Sequence, residues 1–240
     1  MKGKACIWVV FILLWATTAQ AGLLGDFIRG MKPSSAQEAT DTPLTASGLK
    51  EALTVGSGNA VGLLSKADGY FKNDLVKILL PKQIRKAADL MGKLGYQQQV
   101  DEFILSMNRA AEAAAPLAQD MFVEAIREMT FEDAVKILRG NDTAATDYLK
   151  AKTYDGLAER FQPVIGDRMK AYDVTRQYDS LIGTYTRNFP MLGIESLDLK
   201  RYVTTQALDG LFFMIGEEEK NIRTNPSARV TDLLRTVFGK

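Results

Sequence analysis

The chain has 240 residues, of which 46% are hydrophobic, so it can bury one sizeable core or two modest ones. Its formal charge is +1, and it contains one cysteine and no histidine. The cysteine is Cys6, so the chain beyond it cannot form an internal disulfide. The missing histidine excludes Ser-His-Asp and Cys-His nucleophiles and the histidine-based zinc and di-iron sites. We expect neither a metal nor a cofactor.

The first residues have the pattern of a secretory signal peptide. Lys2 and Lys4 give a positive start, and Ile7–Trp15 is a nine-residue apolar run, too short to cross roughly 30 Å of hydrocarbon as a helix. Ala19–Ala21 (AQA) matches the small-x-small cleavage pattern. We therefore predict cleavage after Ala21 and a periplasmic protein. The expected organisation is a signal peptide at 1–21, a flexible leader at 22–43 and a single helical domain at 44–240.

Helical periodicity dominates the rest of the chain, so the predicted fold is all-α. Val100–Met129 carries apolar residues at spacings of three and four, and the stripe keeps its phase through Pro116. This pattern predicts a long helix with a kink at the proline. Leu199–Arg223 is the second long helix, with a middle that is apolar nearly all round. We expect about seven to ten helices around these two, with one short extended segment at Leu75–Leu80.

Caps and turn signals predict the shorter helices. Gly95 closes a helix over Ile84–Leu94, which should fold back antiparallel on the first long helix. Thr130 and Asp133 have the spacing of a capping box, and Asp142 can cap the helix that follows. The other predicted helices cover 43–63, 131–138, 144–152, 154–170, 174–189 and 226–237.

The glycines of Gly56–Gly62 (GSGNAVG) allow two interpretations. Bare backbone amides so close together could form a phosphate-binding loop. However, no strand precedes them and no Gly-Lys-Ser/Thr follows, and such a loop requires both. We therefore interpret them as small residues that let one helix approach its neighbour closely.

Charge is distributed unevenly along the chain. Lys66–Lys93 carries seven basic and three acidic residues, whereas Asp101–Asp133 carries eight acidic and two basic ones. A basic patch of this kind could bind anionic lipid or nucleic acid. The alternative, which the near-zero overall charge favours, is a basic helix opposed by its own acidic neighbour. We expect no nucleic-acid partner.

The candidate ligand-binding residues are polar side chains in or beside apolar helical stretches: Asn108, Arg109, Glu112, Asp209, Arg223 and Arg229. Glu112 is three residues after Arg109, so the two can pair along a helix. Asp209 interrupts the most apolar stretch and needs a partner if it is buried. We predict Arg109 as that partner, with Arg223 or Arg229 as rivals. The set is either a buried network that fixes helix register or, with Asn108 and Arg109 facing a pocket, a site for a small anionic ligand.

Four blocks of sequence resemble a bacterial family known as domain of unknown function 4197. They are MNRAAEAAAPLA at 107–118, FEDAVKILRGNDTAATDYLKAKT at 131–153, YVTTQALDGLF at 202–212 and EEEKNIRTNPSARVTDLLRTVFG at 217–239. The similarity extends from about Leu49 to Gly239. The resemblance implies an exported, largely helical bacterial protein, and it brings no activity with it.

Three classes of function fit these observations. We favour a non-enzymatic binding or interaction module of the cell envelope, with a small anionic ligand, a lipid or an envelope protein as its partner. A histidine-free hydrolase or transferase that uses carboxylate and arginine chemistry is the first alternative. A peripheral protein of the membrane surface is the second.

Overall fold

The helical periodicity of the sequence is realised as eight α-helices in the computed structural model, which describes residues 43–171, 173–188, 197–229, 231–232 and 235. No β-strand occurs in these residues, and the all-α fold is confirmed. The predicted signal peptide and the leader up to residue 42 lie outside the described residues, as do five of the twelve residues of the last predicted helix. The helices are α1 (Pro43–Leu64), α2 (Lys82–Met91), α3 (Gln97–Ala114), α4 (Ala118–Glu128), α5 (Phe131–Leu138), α6 (Ala144–Ala171), α7 (Val174–Asn188) and α8 (Leu199–Thr224).

The first predicted long helix consists of α3 and α4, joined by a 3₁₀ turn at Ala115–Leu117. Pro116 lies in this turn and cannot donate a backbone hydrogen bond, so the regular helical ladder changes there. Phe103 and Met107 of α3 are fully buried, but beyond the turn Ala118 and Phe122 are buried in place of Leu117 and Met121 of the predicted stripe, and Leu117 is 36% exposed. Two α-helices and a 3₁₀ turn thus replace the single kinked helix that the sequence predicts.

The two longest helices, α6 and α8, pack against each other at the centre of the fold, and α3 and α4 pack along α6. Phe212 of α8 joins these layers: its ring centroid lies 5.8 Å from that of Phe122 and 6.1 Å from that of Tyr154 in α6. The sequence divided α6 into two helices, but it is a single helix of 28 residues that continues through Pro163.

The sequence indicated a turn residue and two helix caps in the short connections, and the turn residue and one of the caps are found in the structure. Gly95, with φ of 93°, lies in the five-residue turn Gly92–Tyr96 between α2 and α3, where glycine adopts a left-handed conformation without strain. Thr130 and Asp133 form the predicted capping box of α5. Before α6, however, the side chain of Asn141, rather than Asp142, accepts from the Thr143 amide at 3.1 Å.

The chain between α1 and α2, Ser65–Pro81, is built from turns, and we call it the anchored segment. The predicted extended run Leu75–Leu80 is not a strand, because no second strand exists among the described residues to pair with it. Gly69 packs so tightly against the end of α1 that a Cβ there would lie 2.4 Å from the carbonyl oxygen of Leu63. Turn hydrogen bonds hold part of its backbone, such as the one from the Lys72 amide to the Asp68 carbonyl at 3.1 Å, and side chains of α3 bind other backbone groups of the segment.

The glycine-rich stretch lies inside α1, where its amides belong to a helix, so the phosphate-loop interpretation does not apply. A Cβ on Gly56 would lie 3.5 Å from the Glu218 Cβ of α8, which is ordinary contact distance between two closely packed helices. Gly62, in contrast, has nothing within 4 Å. Close packing thus explains the first of these glycines but not the last.

Candidate functional site

Asn108 of α3 takes the place of a partner strand for the anchored segment. Its side chain is fully buried; Oδ1 accepts from the Ile78 amide at 2.8 Å, and Nδ2 donates to the Ile78 carbonyl at 2.9 Å. Nδ2 also donates to the Ile104 carbonyl at 2.8 Å, within its own helix. One amide side chain therefore satisfies both peptide groups of Ile78, as a neighbouring strand would. Both N–H bonds of Asn108 are used in this way.

Glu112 holds the anchored segment one helical turn further along α3. Its Oε1 accepts from the amides of Tyr70 and Phe71 at 3.1 and 3.2 Å, and its Oε2 accepts from Arg109 Nη1 at 2.6 Å. The carboxylate is buried, with 5% of its side-chain surface exposed. The Tyr70 hydroxyl then donates to the Ala207 carbonyl of α8 at 2.7 Å. Glu112 thus positions a buried tyrosine that connects the anchored segment to α8.

Arg109 links Glu112 to a second carboxylate, Asp68. Nη2 of Arg109 lies 2.6 Å from Oδ1 of Asp68, and the Lys72 ammonium lies 2.8 Å from Oδ2. Hydrogen bonds from Lys72 and Arg109 lower the pKa of Asp68, and the bond to Glu112 raises the pKa of Arg109. The predicted pairing along the helix is therefore confirmed, and the network ties α3 to the anchored segment.

Asp209 does not join this network. Half of its side-chain surface is exposed, and its nearest cation is Lys150 of α6, at 3.8 Å. The predicted Arg109–Asp209 pair is wrong, because Asp209 occupies the outer side of α8 while the apolar residues on either side of it in the sequence face inwards. A carboxylate in an apolar stretch can point to water when the helix has one exposed edge.

A second buried carboxylate, Glu219 of α8, makes the kind of buried contact between helices that was predicted for Asp209. Its oxygens accept from the Ala145 and Thr146 amides at 3.1 and 2.9 Å, in the first turn of α6. Arg223 donates to the same carboxylate at 2.9 Å and to the Ile137 carbonyl at 3.1 Å. A carboxylate at a helix N-terminus satisfies free amides and interacts favourably with the helix dipole.

Arg229 completes the end of α8, donating to the carbonyls of Ile222 and Arg223 at 3.1 and 2.9 Å. Beside this end, Arg223 and Glu219 border an apolar crevice between α1 and α8. Its interior of about 20 Å³ holds roughly one water molecule. All six predicted residues are thus in the structure's hydrogen-bond or ion-pair networks, and the crevice is too small for an organic ligand.

A larger cleft lies between α4 and α6, with a volume of about 280 Å³. What we call its base is the buried and partly buried lining of these two helices, which consists of Met121 and Ala125 of α4 and Tyr148 and Thr153 of α6. Glu124 and Glu128 stand on the α4 wall, whereas Lys152 and Arg160 stand on the α6 wall, and Asp133 of α5 adds a third carboxylate to the lining. The sequence analysis did not single out this set, because its members come from two helices and only their spacing within each helix is visible in the sequence.

The charges on the two walls of this cleft do not pair with each other. In the described part of the chain, the only ion pair made by the four wall residues joins Glu124 to Arg127, at 3.6 Å and within α4. The Lys152 ammonium lies 5.8 Å from the ring centroid of Tyr148. Burial, followed by the charges of Asp133 and Glu128, raises the pKa of Tyr148, so its phenol remains a neutral donor at neutral pH. The cleft therefore offers carboxylates, cations and a phenol to a bound molecule.

The basic side of α2 also lacks its predicted partners. Among the described residues, no ion pair joins α2 to α3 or α4. The acidic residues of α3 nearest to the turn accept hydrogen bonds locally instead: Asp101 from Gln97 at 2.8 Å and Glu102 from Gln98 at 2.9 Å. The predicted opposition of basic and acidic faces is not found.

Two other kinds of site, a metal centre and a membrane span, are absent from the described residues. No group of three or more acidic, cysteine or histidine side chains is arranged to hold a metal ion. Within the same residues, no helix combines the length and apolar character needed to span a membrane. Buried side-chain polar atoms there all have hydrogen-bond partners, so none marks a ligand by being unsatisfied.

Comparison with known proteins identifies a family. The model of the family described as "Protein of unknown function (DUF4197)" matches residues 39–239. No curated protein and no solved structure matches the chain.

Proposed function

For this chain, which belongs to the DUF4197 family, we propose a role as an exported binding module of the cell envelope. Its ligand is a small molecule that carries both an amine and a carboxylate, such as a short peptide, held in the cleft between α4 and α6. The observation that carries this proposal is the pair of oppositely charged walls that face the cleft without pairing across it.

The chemistry of the cleft supports a ligand with both charges. An ammonium group would be attracted to Glu124 and Glu128, and a carboxylate to Lys152 and Arg160, where arginine can bind it in a bidentate manner. The base is partly apolar, and about 280 Å³ is close to the lower limit for sites that bind small organic molecules. A ligand with one charge would leave the opposite wall uncompensated.

The helical framework around the cleft is consistent with binding. Thr153, at the base, is buried and donates to the Leu149 carbonyl at 2.7 Å, and Phe122 of α4 packs on Phe212 of α8. Rigid walls reduce the entropy lost when a ligand is fixed. The two buried glutamates outside the cleft, Glu112 and Glu219, are occupied by backbone amides and arginines and are not available as acid–base groups.

Export is the part of the proposal that rests on the sequence alone. N-terminal sequencing of the protein from the envelope fraction should find Gly22 as the first residue, because cleavage is expected after Ala21. An intact Met1, or a form that only detergent extracts, would contradict release into the periplasm.

Native mass spectrometry of the same material tests the ligand. We expect a bound species whose released mass and fragments contain an amine and a carboxylate. Glu128→Lys should lose it, because this change places a cation on the acidic wall of the cleft. Glu132→Lys is the matched control, since Glu132 is exposed on α5 outside the cleft, and it should retain the ligand.

Two other results would contradict this proposal. Equal loss of ligand from both variants would mean that overall charge, and not the cleft, retains it. Protein that carries no ligand but gains thermal stability from a metal ion or a substrate analogue would instead favour the histidine-free hydrolase or transferase.

A further inference from the structure

We propose that α2 docks the protein on the surface of an anionic lipid bilayer, using a basic face made of Lys82, Arg85, Lys86 and Lys93. This inference is independent of the cleft between α4 and α6. The basic face determines where the protein is held, whereas the cleft determines which small molecule it binds.

The basic face is turned to solvent by the packing of α2. The opposite side of the helix, consisting of Ile84, Ala87, Ala88 and Met91, is buried against the core. All four basic residues are exposed, and Asp89 is the one acidic residue among them. The helix and the turn after it therefore present a net charge of +3. The helix itself is about 15 Å long.

None of these four cations is neutralised by an ion pair within the described residues. Arg85 donates to the Leu80 carbonyl at 3.4 Å, which leaves its charge uncompensated. The acidic residues of α3 that could have compensated it are held by Gln97 and Gln98. An uncompensated cluster of this kind attracts an anionic surface, and its attraction decreases with salt.

Exposed apolar side chains lie at both ends of the basic face. Leu79, just before α2, is 52% exposed, and its carbonyl accepts from the Tyr202 hydroxyl at 2.9 Å. Leu94 and Tyr96, in the turn after α2, are 54% and 39% exposed. Large apolar side chains next to basic ones are typical of elements that rest in the interface of a bilayer.

These apolar residues distinguish a bilayer from a nucleic acid. Both present negative charge, but a phosphate backbone gains nothing from contact with leucine, whereas the acyl region of a bilayer does. The observations therefore favour lipid.

Vesicle sedimentation tests the proposal with protein purified in the form that expressing cells accumulate. We expect retention on vesicles of phosphatidylcholine mixed with phosphatidylglycerol, little retention on phosphatidylcholine alone, and release at high salt. Lys82→Glu/Lys86→Glu should lower the partition coefficient at least about tenfold, because two attractive charges become repulsive. Folding should be unaffected, since neither side chain makes an ion pair and a glutamate at the start of a helix is favourable.

The matched control is Lys136→Glu/Lys220→Glu, which makes the same change in net charge at exposed positions on α5 and α8. It should bind as wild type does. Equal loss in both double variants would show that only net charge matters and would overturn the proposal. Equal retention on neutral vesicles would overturn it too, as would a short DNA duplex that binds more tightly than the anionic vesicles and is released by Lys82→Glu/Lys86→Glu.

A tryptophan reporter shows which face touches the bilayer. Trp8 and Trp15 are the only tryptophans of the chain, so both are changed to Phe and Leu94→Trp is added. Anionic vesicles should shift its emission to the blue. The control is Phe131→Trp in the same background. Phe131 lies on α5 and is 41% exposed, so a tryptophan there reports on a different surface and should show no shift. A shift at Phe131→Trp and none at Leu94→Trp would refute docking through α2.

Discussion

Two buried Glu–Arg pairs hold different kinds of backbone in this protein. Glu112 of α3, paired with Arg109, accepts from two amides of the anchored segment. Glu219 of α8, paired with Arg223, accepts from two amides in the first turn of α6. The amides of Tyr70, Ala145 and Thr146 are buried and that of Phe71 is partly buried, so water cannot readily replace either glutamate. The difference lies in the backbone that each glutamate holds.

The comparison indicates what each pair is needed for. The anchored segment supplies Tyr70, Ile78 and Leu80 to the core, and none of them lies in a regular element that could hold its position alone. The helix α6 has 28 residues of its own hydrogen bonds and uses Glu219 only at its start. The first pair therefore fixes the position of part of the core, whereas the second caps the start of a helix.

Removing the first pair should have the largest effect. We expect Glu112→Ala to lower the free energy of unfolding by about 3–5 kcal/mol, because Arg109 and two buried amides lose their shared partner. Urea denaturation followed by circular dichroism measures it. Glu102→Ala, at an exposed position of the same helix, should change stability by no more than about 0.5 kcal/mol. Equal effects of the two changes would contradict the structural role of Glu112.

The second pair should matter less. We expect Glu219→Ala to cost about 2–3 kcal/mol, since the loss of a helix cap adds to the loss of the partner of Arg223. Hydrogen exchange should show faster exchange at the start of α6 and unchanged protection in the anchored segment. A cost above that of Glu112→Ala would reverse the comparison between the two pairs.

Local patterns predicted half of the first network and did not predict the second. Arg109 and Glu112 are three residues apart, so their pairing follows from helix geometry. Asp68 lies 41 residues from Arg109, and only the turn at Asp68–Gly69 brings it there. The spacing of four between Glu219 and Arg223 indicates the second pair in the same way, but Arg223 was considered only as a partner of Asp209.

The errors in the sequence analysis have a common physical origin. Helical periodicity gives the buried face of a helix but not which neighbour covers it, so Asp209 was assigned a buried partner that it does not need. Local glutamines engage the acids of α3, so charge balance along the chain did not predict pairing in space. The cleft between α4 and α6 depends on the relative placement of two helices, which no single periodic stretch contains.

Two glycines of α8 sharpen the comparison, because each faces one of the two networks. A Cβ at Gly210 would lie 3.1 Å from the Tyr70 ring and from Val76, both in the anchored segment. A Cβ at Gly216 would lie 3.8 Å from Thr143 and Thr146, beside the Glu219 pair. We expect Gly210→Ala to destabilise by about 1 kcal/mol, since Glu112 and Ala207 prevent Tyr70 from moving aside. Gly216→Ala should instead stabilise by up to about 1 kcal/mol through helix propensity. Thermal unfolding compares the two variants. Effects of the same sign would mean that the anchored segment shifts to accommodate the methyl group added by Gly210→Ala.

The smallest expected effect distinguishes the second acceptors of the two arginines. Arg223 donates to a neutral carbonyl, whereas Arg109 donates to the carboxylate of Asp68, so only the first network should titrate through its second acceptor. Hydrogen bonds from Lys72 and Arg109 hold the pKa of Asp68 below its value of about 3.9 in an unfolded chain. A carboxyl with a lowered pKa in the folded state contributes stability that is present above about pH 4 and lost as the pH falls through the folded value.

We therefore expect Asp68→Asn to be less stable than wild type at neutral pH, with the difference shrinking below about pH 4. Asparagine keeps the shape of the side chain and tolerates the left-handed conformation of residue 68, whose φ is 69°. The change thus removes the charge without straining the turn. Asp167→Asn is the control, because Asp167 is exposed and lies 3.9 Å from Lys170 in a pair of solvated side chains. Urea midpoints measured from about pH 7 down to pH 3 should converge for Asp68→Asn and wild type. Parallel curves would show that the ion pair with Asp68 adds nothing to the anchoring that Glu112 and Asn108 already supply.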